Sequence, residues 1–171
     1  MERFGNSLKF GLIAGVILMT ISILTYAFKI DQSNMMLSFL MAIIMYGVLI
    51  AFTIIVMSKA RSEYEDYSYG KGFLVGFVML LVAFYLSAIY SFIFDSYIDP
   101  DYTIQTLNKT IETLESNAMI SVEMIDQIYE DMVESIKPTN ILVKNLWVSP
   151  IISAVMSAII ALFIRKKKEI E

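Results

Sequence analysis

The sequence predicts an all-α, polytopic membrane protein with four transmembrane helices and an extracytoplasmic amphipathic helical hairpin between spans three and four. Three observations support this fold class. The chain of 171 residues is 57% hydrophobic and only 18% charged, whereas soluble domains are about 45–50% apolar and about 25% charged. Its charged residues bracket four long uncharged runs. An acidic segment before the last run carries apolar residues at helical spacing.

Each uncharged run is long enough to cross a bilayer, because a helix needs about 20 apolar residues to do so. We therefore expect one integral membrane domain over residues 1–171. The four expected spans cover about residues 8–28, 34–57, 72–94 and 145–164. The first run follows basic residues, as a signal-peptide core does, but it is longer than such a core and no small-residue cleavage site follows it. We expect the first span to be retained.

The distribution of Lys and Arg predicts how the chain is oriented. Nine of these residues flank one side of the membrane, in the N-terminus, the second connection and the C-terminus, against four on the other side. Because cytoplasmic flanks are enriched in Lys and Arg, we expect both termini in the cytoplasm and residues 95–144 outside. The strongest topology anchors directly follow the fourth span and are Arg165, Lys166, Lys167 and Lys168.

The external segment, residues 95–144, carries ten acidic residues against three lysines. Its apolar residues recur every three or four positions in two stripes, which predicts two amphipathic helices. The stripes are Ile104, Leu107, Ile111 and Leu114, then Ile125, Ile128, Met132 and Ile136. We expect the two helices to fold back as a hairpin with the stripes packed together. Docking of the stripes onto a partner, or onto the outer headgroup surface, is the alternative.

Turn and cap residues predict where these two helices begin and end. Asp99, Pro100 and Asp101 form the expected start of the first helix, with a capping carboxylate, a proline at the first helical position and an acid near the positive helix end. Asn117 or Ser121 is the expected cap of the second helix.

Small residues at four-residue spacing predict helix-packing faces in three spans. Such spacing lets helix backbones approach closely in lipid. The residues are Gly11 and Gly15 in span one, Gly72 and Gly76 in span three, and Ser153 and Ser157 in span four. We expect them to pack helices within one chain, and contact between copies in a homo-oligomer is the alternative.

Pro150 lies inside the fourth run. It either kinks that span and frees a backbone carbonyl, or lies in the first membrane turn after an interfacial lead-in over residues 141–149. We favour the lead-in, because Lys144 is costly in hydrocarbon. No span carries an Asp, Glu, Lys or Arg at its centre, which weakens a hypothesis of ion-coupled transport.

The composition excludes several kinds of chemistry. The absence of His and Cys removes Cys and His nucleophiles, Ser-His-Asp triads and zinc fingers. A net charge of −4 argues against a nucleic-acid binder. Asp95, Asp99 and Asp101 are oxygen ligands of the type that Ca²⁺ and Mg²⁺ prefer, but an EF-hand glycine and glutamate are missing, and helix capping explains these acids better. We expect no catalytic residue, no metal and no cofactor.

Three sequence stretches carry a family resemblance. They are KFGLIAGVIL at Lys9–Leu18, YSYGKGFLVGF at Tyr67–Phe77 and YSFIFDSYIDPDY at Tyr90–Tyr102. Because of these stretches, the chain resembles the bacterial membrane-protein family known as domain of unknown function 4199. The resemblance extends over roughly residues 5–168. The resemblance implies four spans, an acidic segment before the last span, a basic C-terminus and the inner membrane of a two-membrane bacterium. It implies no activity.

Three function classes remain. We favour a non-enzymatic accessory, assembly or interaction protein of the cell envelope, which contacts an envelope protein through residues 95–144 or through the tyrosine-rich connection at 59–71. The alternative is a small transporter or channel component, which needs an oligomer to build a pore. The third is a lipid-modifying enzyme with Asp99, Asp101 or Tyr102 as its candidate residues. In every case the lipid bilayer is a partner.

Overall fold

The structure, a computed structural model, describes residues 5–30, 34–63, 67–116 and 121–164. Its elements in chain order are helices α1 (Gly5–Ala27), α2 (Met35–Glu63) and α3 (Tyr69–Ile93), a π-helical turn (Phe94–Ile98), and helices α4 (Tyr102–Glu115), α5 (Val122–Ser135) and α6 (Pro138–Ile164). Every regular element in these described ranges is helical, which confirms the all-α fold class.

Four of the helices are long and apolar enough to cross a membrane. They cover Gly5–Ala27, Met36–Glu63, Tyr69–Ile98 and Pro138–Ile164. This confirms that the chain has four such spans, and two of their bounds differ from the predicted ones by more than four residues. Helix α2 continues past residue 57 to Glu63, and α6 begins at Pro138 rather than near residue 145. Proline is well suited to a first helical position because the N–H it lacks is not needed there, so the expected lead-in and the span form one helix.

Helix α3 is the centre of the bundle. It packs most extensively against α6 and α1, and less against α2. Its side chains Met79, Leu80 and Ala83 are fully buried. Helix α1 runs in the same direction as α3, since Gly11 lies beside Met79 and Tyr26 lies beside Phe94. Both helices therefore end on one side of the bundle, called the hairpin end below because α4 and α5 follow there.

Gly11 and Gly15 lie where α1 touches α3. A Cβ atom added at Gly11 would be 2.7 Å from the backbone oxygen of Met79, and one at Gly15 would be 2.8 Å from Leu86 Cδ2. Neither separation leaves room for a side chain. These two glycines serve packing within one chain.

Gly76, Ser153 and Ser157 lie at the contact between α3 and α6. A Cβ at Gly76 would be 2.6 Å from Ser157 Oγ. The Ser157 hydroxyl donates a hydrogen bond of 2.6 Å to the Phe73 carbonyl, and Ser153 is fully buried beside it on α6. The Ser157 hydroxyl and the close approach at Gly76 thus join these two helices.

Gly72 is expected at a contact between helices, but it contacts a different part of the chain. The nearest neighbour of a Cβ at Gly72 is the Tyr67 hydroxyl, at 3.0 Å, which belongs to the segment before α3 and not to another helix. The basic topology anchors Arg165, Lys166, Lys167 and Lys168 lie outside the described residues.

Pro150 lies inside α6, which continues through it. A proline has no N–H, so the carbonyl four residues earlier loses its helical partner. That carbonyl belongs to Leu146, and the Tyr85 hydroxyl of α3 donates a hydrogen bond of 3.4 Å to it. A neighbouring helix thus satisfies the backbone group that the proline frees, as membrane helices require.

Helices α4 and α5 pack against each other along one seam. Leu107, Ile111 and Ile125 are buried there. The partly buried members are Leu114, Ile128, Met132 and Ile136. Ser121 caps α5, accepting a hydrogen bond of 3.4 Å from the Met124 N–H. The predicted pairing of the two stripes is confirmed.

The first apolar stripe predicts Ile104 in the seam, but this side chain is 48% exposed. It lies near the start of α4, where it borders a cavity of about 260 Å³ together with Tyr129 and Val133 instead of entering the seam. Asn117, the other expected cap, lies outside the described residues.

We expect Gly11→Ala to lower the unfolding free energy by about 1–3 kcal/mol, the usual cost of overpacking, because the added methyl group meets a backbone oxygen. Gly47→Ala on α2 is the matched control, since a Cβ there meets nothing within 4 Å and alanine favours helix. Equilibrium unfolding in detergent, followed by circular dichroism, measures both. Equal stability of the two variants would contradict the close contact of α1 with α3.

The bond from Tyr85 to the Leu146 carbonyl predicts coupling with Pro150. We expect Tyr85→Phe to cost about 1 kcal/mol of unfolding free energy in the wild type and close to nothing in a Pro150→Ala background, where an amide at position 150 again serves that carbonyl. A double-mutant cycle isolates this term. A coupling energy of zero would show that Tyr85 does not serve the freed carbonyl.

Candidate functional site

An acidic side chain is buried where α3 meets the hairpin. Asp95 lies in the π-helical turn, which is closed by a 3.0 Å hydrogen bond from the Asp99 N–H to the Phe94 carbonyl. A π-helical turn takes up one residue more than an α-helical turn, and both Phe94 and Asp95 are buried in it. Asp95 is only 9% exposed, and it is the one buried charged side chain among the described residues.

Two side-chain hydrogen bonds connect this end of α3 to its neighbours. The Thr103 hydroxyl, in the first turn of α4, donates to Asp95 Oδ1 at 3.0 Å. The Tyr26 hydroxyl, in the last turn of α1, donates to Asp99 Oδ2 at 3.0 Å. The start of the hairpin is therefore attached to two membrane helices.

The end of α1 holds Tyr26 in place. The Ile30 N–H donates to the Thr25 carbonyl and the Lys29 N–H to the Tyr26 carbonyl, each at 3.0 Å. This pair of bonds is a Schellman motif, which needs a left-handed residue just after the helix. Lys29 is that residue, with a φ of 50°. The motif ends α1 immediately after the residue that contacts Asp99.

The capping carboxylate predicted at the start of α4 is not formed. The N-cap position is Asp101, and its side chain makes no cap hydrogen bond. Asp99 accepts from Tyr26 instead. Pro100 lies in the turn that the Tyr102 N–H closes onto the Asp99 carbonyl at 3.2 Å. The prediction that Asp99 caps this helix is therefore wrong, because a tertiary contact engages its carboxylate.

Aromatic rings surround the two carboxylates. Tyr26, Phe94 and Tyr102 pack edge to face, with ring centroids 4.9 Å apart for Tyr26 and Phe94, 5.3 Å for Tyr26 and Tyr102, and 5.6 Å for Phe94 and Tyr102. Tyr90 lies 6.0 Å from Phe94. Such pairs favour fixed ring orientations, so the cluster joins α1, α3 and α4 rigidly.

A cavity of about 410 Å³ lies beside Asp95, and we call it the Asp95 cavity. Its lining comes from α1, α2, α3, the π-helical turn, α4 and α6. Besides the aromatic cluster, it includes Met41 and Met45 of α2 and the hydroxyl-bearing Ser22 and Ser91. None of the described residues that line it is a lysine or an arginine. Small-molecule sites measure about 300–1,000 Å³, so the cavity can hold a small ligand.

A second cavity of about 390 Å³ lies on the other side of Tyr26 and Tyr102, which line both cavities. Its lining includes Lys29, Lys109 and Asp99. The two neighbouring cavities therefore differ in charge, since the first is lined by a lone carboxylate and the second by two ammonium groups and one carboxylate.

Sequence reasoning did not single out Asp95, because it grouped this residue with the helix-capping acids. Its position carries a usable signal, since it directly follows the uncharged run over residues 72–94. If the helix continues for one turn beyond such a run, the first charged side chain after the run stays among apolar neighbours. Within the described part of the chain, no group of three or more acidic side chains is placed to hold a metal ion.

Comparison with known families identifies one match. A family model described as "Protein of unknown function (DUF4199)" matches residues 9–166, which include the Asp95 cavity and all but the first turn of the bundle. The resemblance expected from the sequence is confirmed. No curated protein and no solved structure matches the chain.

Proposed function

We propose that this chain, which belongs to the DUF4199 family of proteins of unknown function, is a non-enzymatic interaction protein of a bacterial cell envelope. The observation that carries the proposal is the packed acidic hairpin of α4 and α5. Tyr26 and Thr103 attach it to the membrane helices, and its seam keeps the two helices together. It presents a charged surface of defined shape at the end of the bundle.

The chemistry of this surface points to a basic partner. The two apolar stripes are largely used in the seam, which leaves Glu123, Asp126 and Glu130 exposed on the other side of α5. Glu134 is not available in the same way, because its carboxylate is paired with the Lys137 ammonium group, whose hydrogen bond and charge lower the pKa of Glu134. Complementary charge steers association and fixes orientation, so we propose a protein surface rich in Lys and Arg as the partner.

The other function classes find less support. Leu18, Leu49 and Met79 fill the space between the helices, so a transporter or channel component needs several copies to form a pore. In a lipid-modifying enzyme, Asp99 would be a candidate residue, but it is engaged by Tyr26. The connection at residues 59–71 is a weaker candidate surface than the hairpin, because Tyr67 is buried.

We propose the inner membrane of a two-membrane bacterium as the location, with both termini in the cytoplasm and residues 95–144 in the periplasm. Lys59 and Arg61 support this orientation, since both are exposed near the end of α2 that lies away from the hairpin, and basic residues mark cytoplasmic flanks.

Cysteine labelling tests the orientation, and the chain has no native cysteine to interfere. Ser116 at the end of α4 and Ser62 near the end of α2 are both exposed. We expect Ser116→Cys to react with an impermeant maleimide in intact spheroplasts and Ser62→Cys to react only after permeabilisation. The reverse pattern would contradict the orientation and leave the four-span fold standing.

Charge neutralisation tests the hairpin as a binding surface. The tagged, full-length protein is crosslinked in native membranes and purified. We expect at least tenfold less of the partner to be recovered with the triple variant Glu123→Gln, Asp126→Asn and Glu130→Gln than with the wild type. The matched control with Glu123→Asp, Asp126→Glu and Glu130→Asp keeps all three charges and should keep the partner. Equal recovery of the same protein with both variants, or no stoichiometric protein with the wild type, would contradict the proposal.

A further inference from the structure

The Asp95 cavity contains a carboxylate without a matching positive charge among the described residues that line it. Asp95 Oδ1 accepts one hydrogen bond, from the Thr103 hydroxyl. Burial of a charged group is unfavourable unless it is paired and hydrogen-bonded. A neutral hydroxyl donor satisfies part of this requirement, and a cation that enters the cavity would supply the rest.

From this geometry we propose that the Asp95 cavity binds the ammonium group of a small organic cation, with Asp95 as its counter-ion and the aromatic cluster as its walls. The site goes beyond the interaction function of the hairpin and does not depend on it, since the acidic face of α5 does not line this cavity.

The lining favours an organic cation over a metal ion. Ca²⁺ takes six to eight oxygen ligands, and Mg²⁺ takes an octahedron of oxygens. The Asp95 cavity offers one carboxylate, and its other side-chain oxygens belong to neutral hydroxyl groups, with Met41, Met45 and aromatic rings among its neighbours. Ring faces and thioethers suit the methylene or methyl groups of an organic ammonium ion, and aromatic rings attract such a cation through their quadrupole.

The aromatic part of the site is already assembled. Tyr26, Tyr90, Phe94 and Tyr102 all line the cavity, and the edge-to-face contacts of Phe94 with Tyr26 and Tyr102 hold the rings in place. Binding therefore requires little ordering of side chains, which is a large part of the cost of association.

The surroundings attract cations to the cavity mouth. The segment over residues 95–144 has ten acidic residues against three lysines, and a field of one sign raises the local concentration of opposite charges. The cavity lies at the end of the apolar helices, where it can meet either a free amine from the aqueous phase or the ethanolamine headgroup of a lipid. Both sources carry the same ammonium chemistry.

The test uses the full-length protein in nanodiscs made of phosphatidylglycerol alone. Choline and ethanolamine are titrated by calorimetry, with 3,3-dimethyl-1-butanol as the neutral isostere of choline. We expect saturable binding of a cation and no binding of the alcohol.

A second experiment tests the lipid source. It uses nanodiscs that contain phosphatidylethanolamine and measures the unfolding temperature of the protein. Binding of a free cation supports the aqueous source, and an Asp95-dependent rise in unfolding temperature with phosphatidylethanolamine alone supports the lipid source.

Three variants decide whether Asp95 and the rings form the site. Asp95→Asn keeps the shape and an acceptor for Thr103, and should weaken binding at least tenfold. Asp126→Asn makes the same charge change on the exposed face of α5 and should leave affinity within twofold. Tyr90→Leu removes a ring and should also weaken binding, which keeps the proposal testable if Asp95→Asn does not fold. Two results would overturn the proposed cation site. In the first, the wild type shows neither binding of a free cation nor the effect of phosphatidylethanolamine. In the second, the wild type, Asp95→Asn and Tyr90→Leu bind with equal affinity.

Discussion

The arrangement at the hairpin end depends on the close approach of α1 to α3. Without a side chain at Gly11 and Gly15, α1 lies directly on the backbone of α3. Because the two helices run in the same direction, this contact carries Tyr26 to the end of α3, where its ring meets Phe94 and its hydroxyl reaches Asp99. A packing constraint deep in the bundle thus fixes the position of the hairpin about three helical turns beyond Gly15, because eleven residues separate Gly15 from Tyr26.

Much of the fold follows from patterns that are local in sequence. Four uncharged runs predict four spans, and two apolar stripes predict the seam of the hairpin. The start of α6 at Pro138 was missed because its first turns combine Lys144 with apolar residues, so a count of uncharged residues ends too early. The role of Tyr85 was also beyond sequence reasoning, since the carbonyl that Pro150 frees is served from another helix.

The candidate site was less predictable because its parts are distant in sequence. Thr103 lies close to Asp95 along the chain, but two whole helices, α2 and α3, separate Tyr26 from Asp95. The cap expected at Asp99 shows the same limit, since local preference favours a carboxylate at a helix start while a hydroxyl from α1 engages it instead. Sequence rules describe what a residue does for its own helix, and here both carboxylates bond to other helices.

The interaction surface and the Asp95 cavity share structural parts, which links the two proposals physically. Thr103 holds Asp95 and also belongs to the first turn of α4, and Tyr102 lines the cavity next to it. A cation bound at Asp95 would meet the same carboxylate that bonds to the hairpin. Any effect of such a cation on the affinity of the hairpin for a partner must then be matched by an equal effect of the partner on the affinity for the cation, because coupling between two binding sites is reciprocal. Under both proposals, a small cavity at the hairpin end is therefore placed to bias the proposed interaction surface.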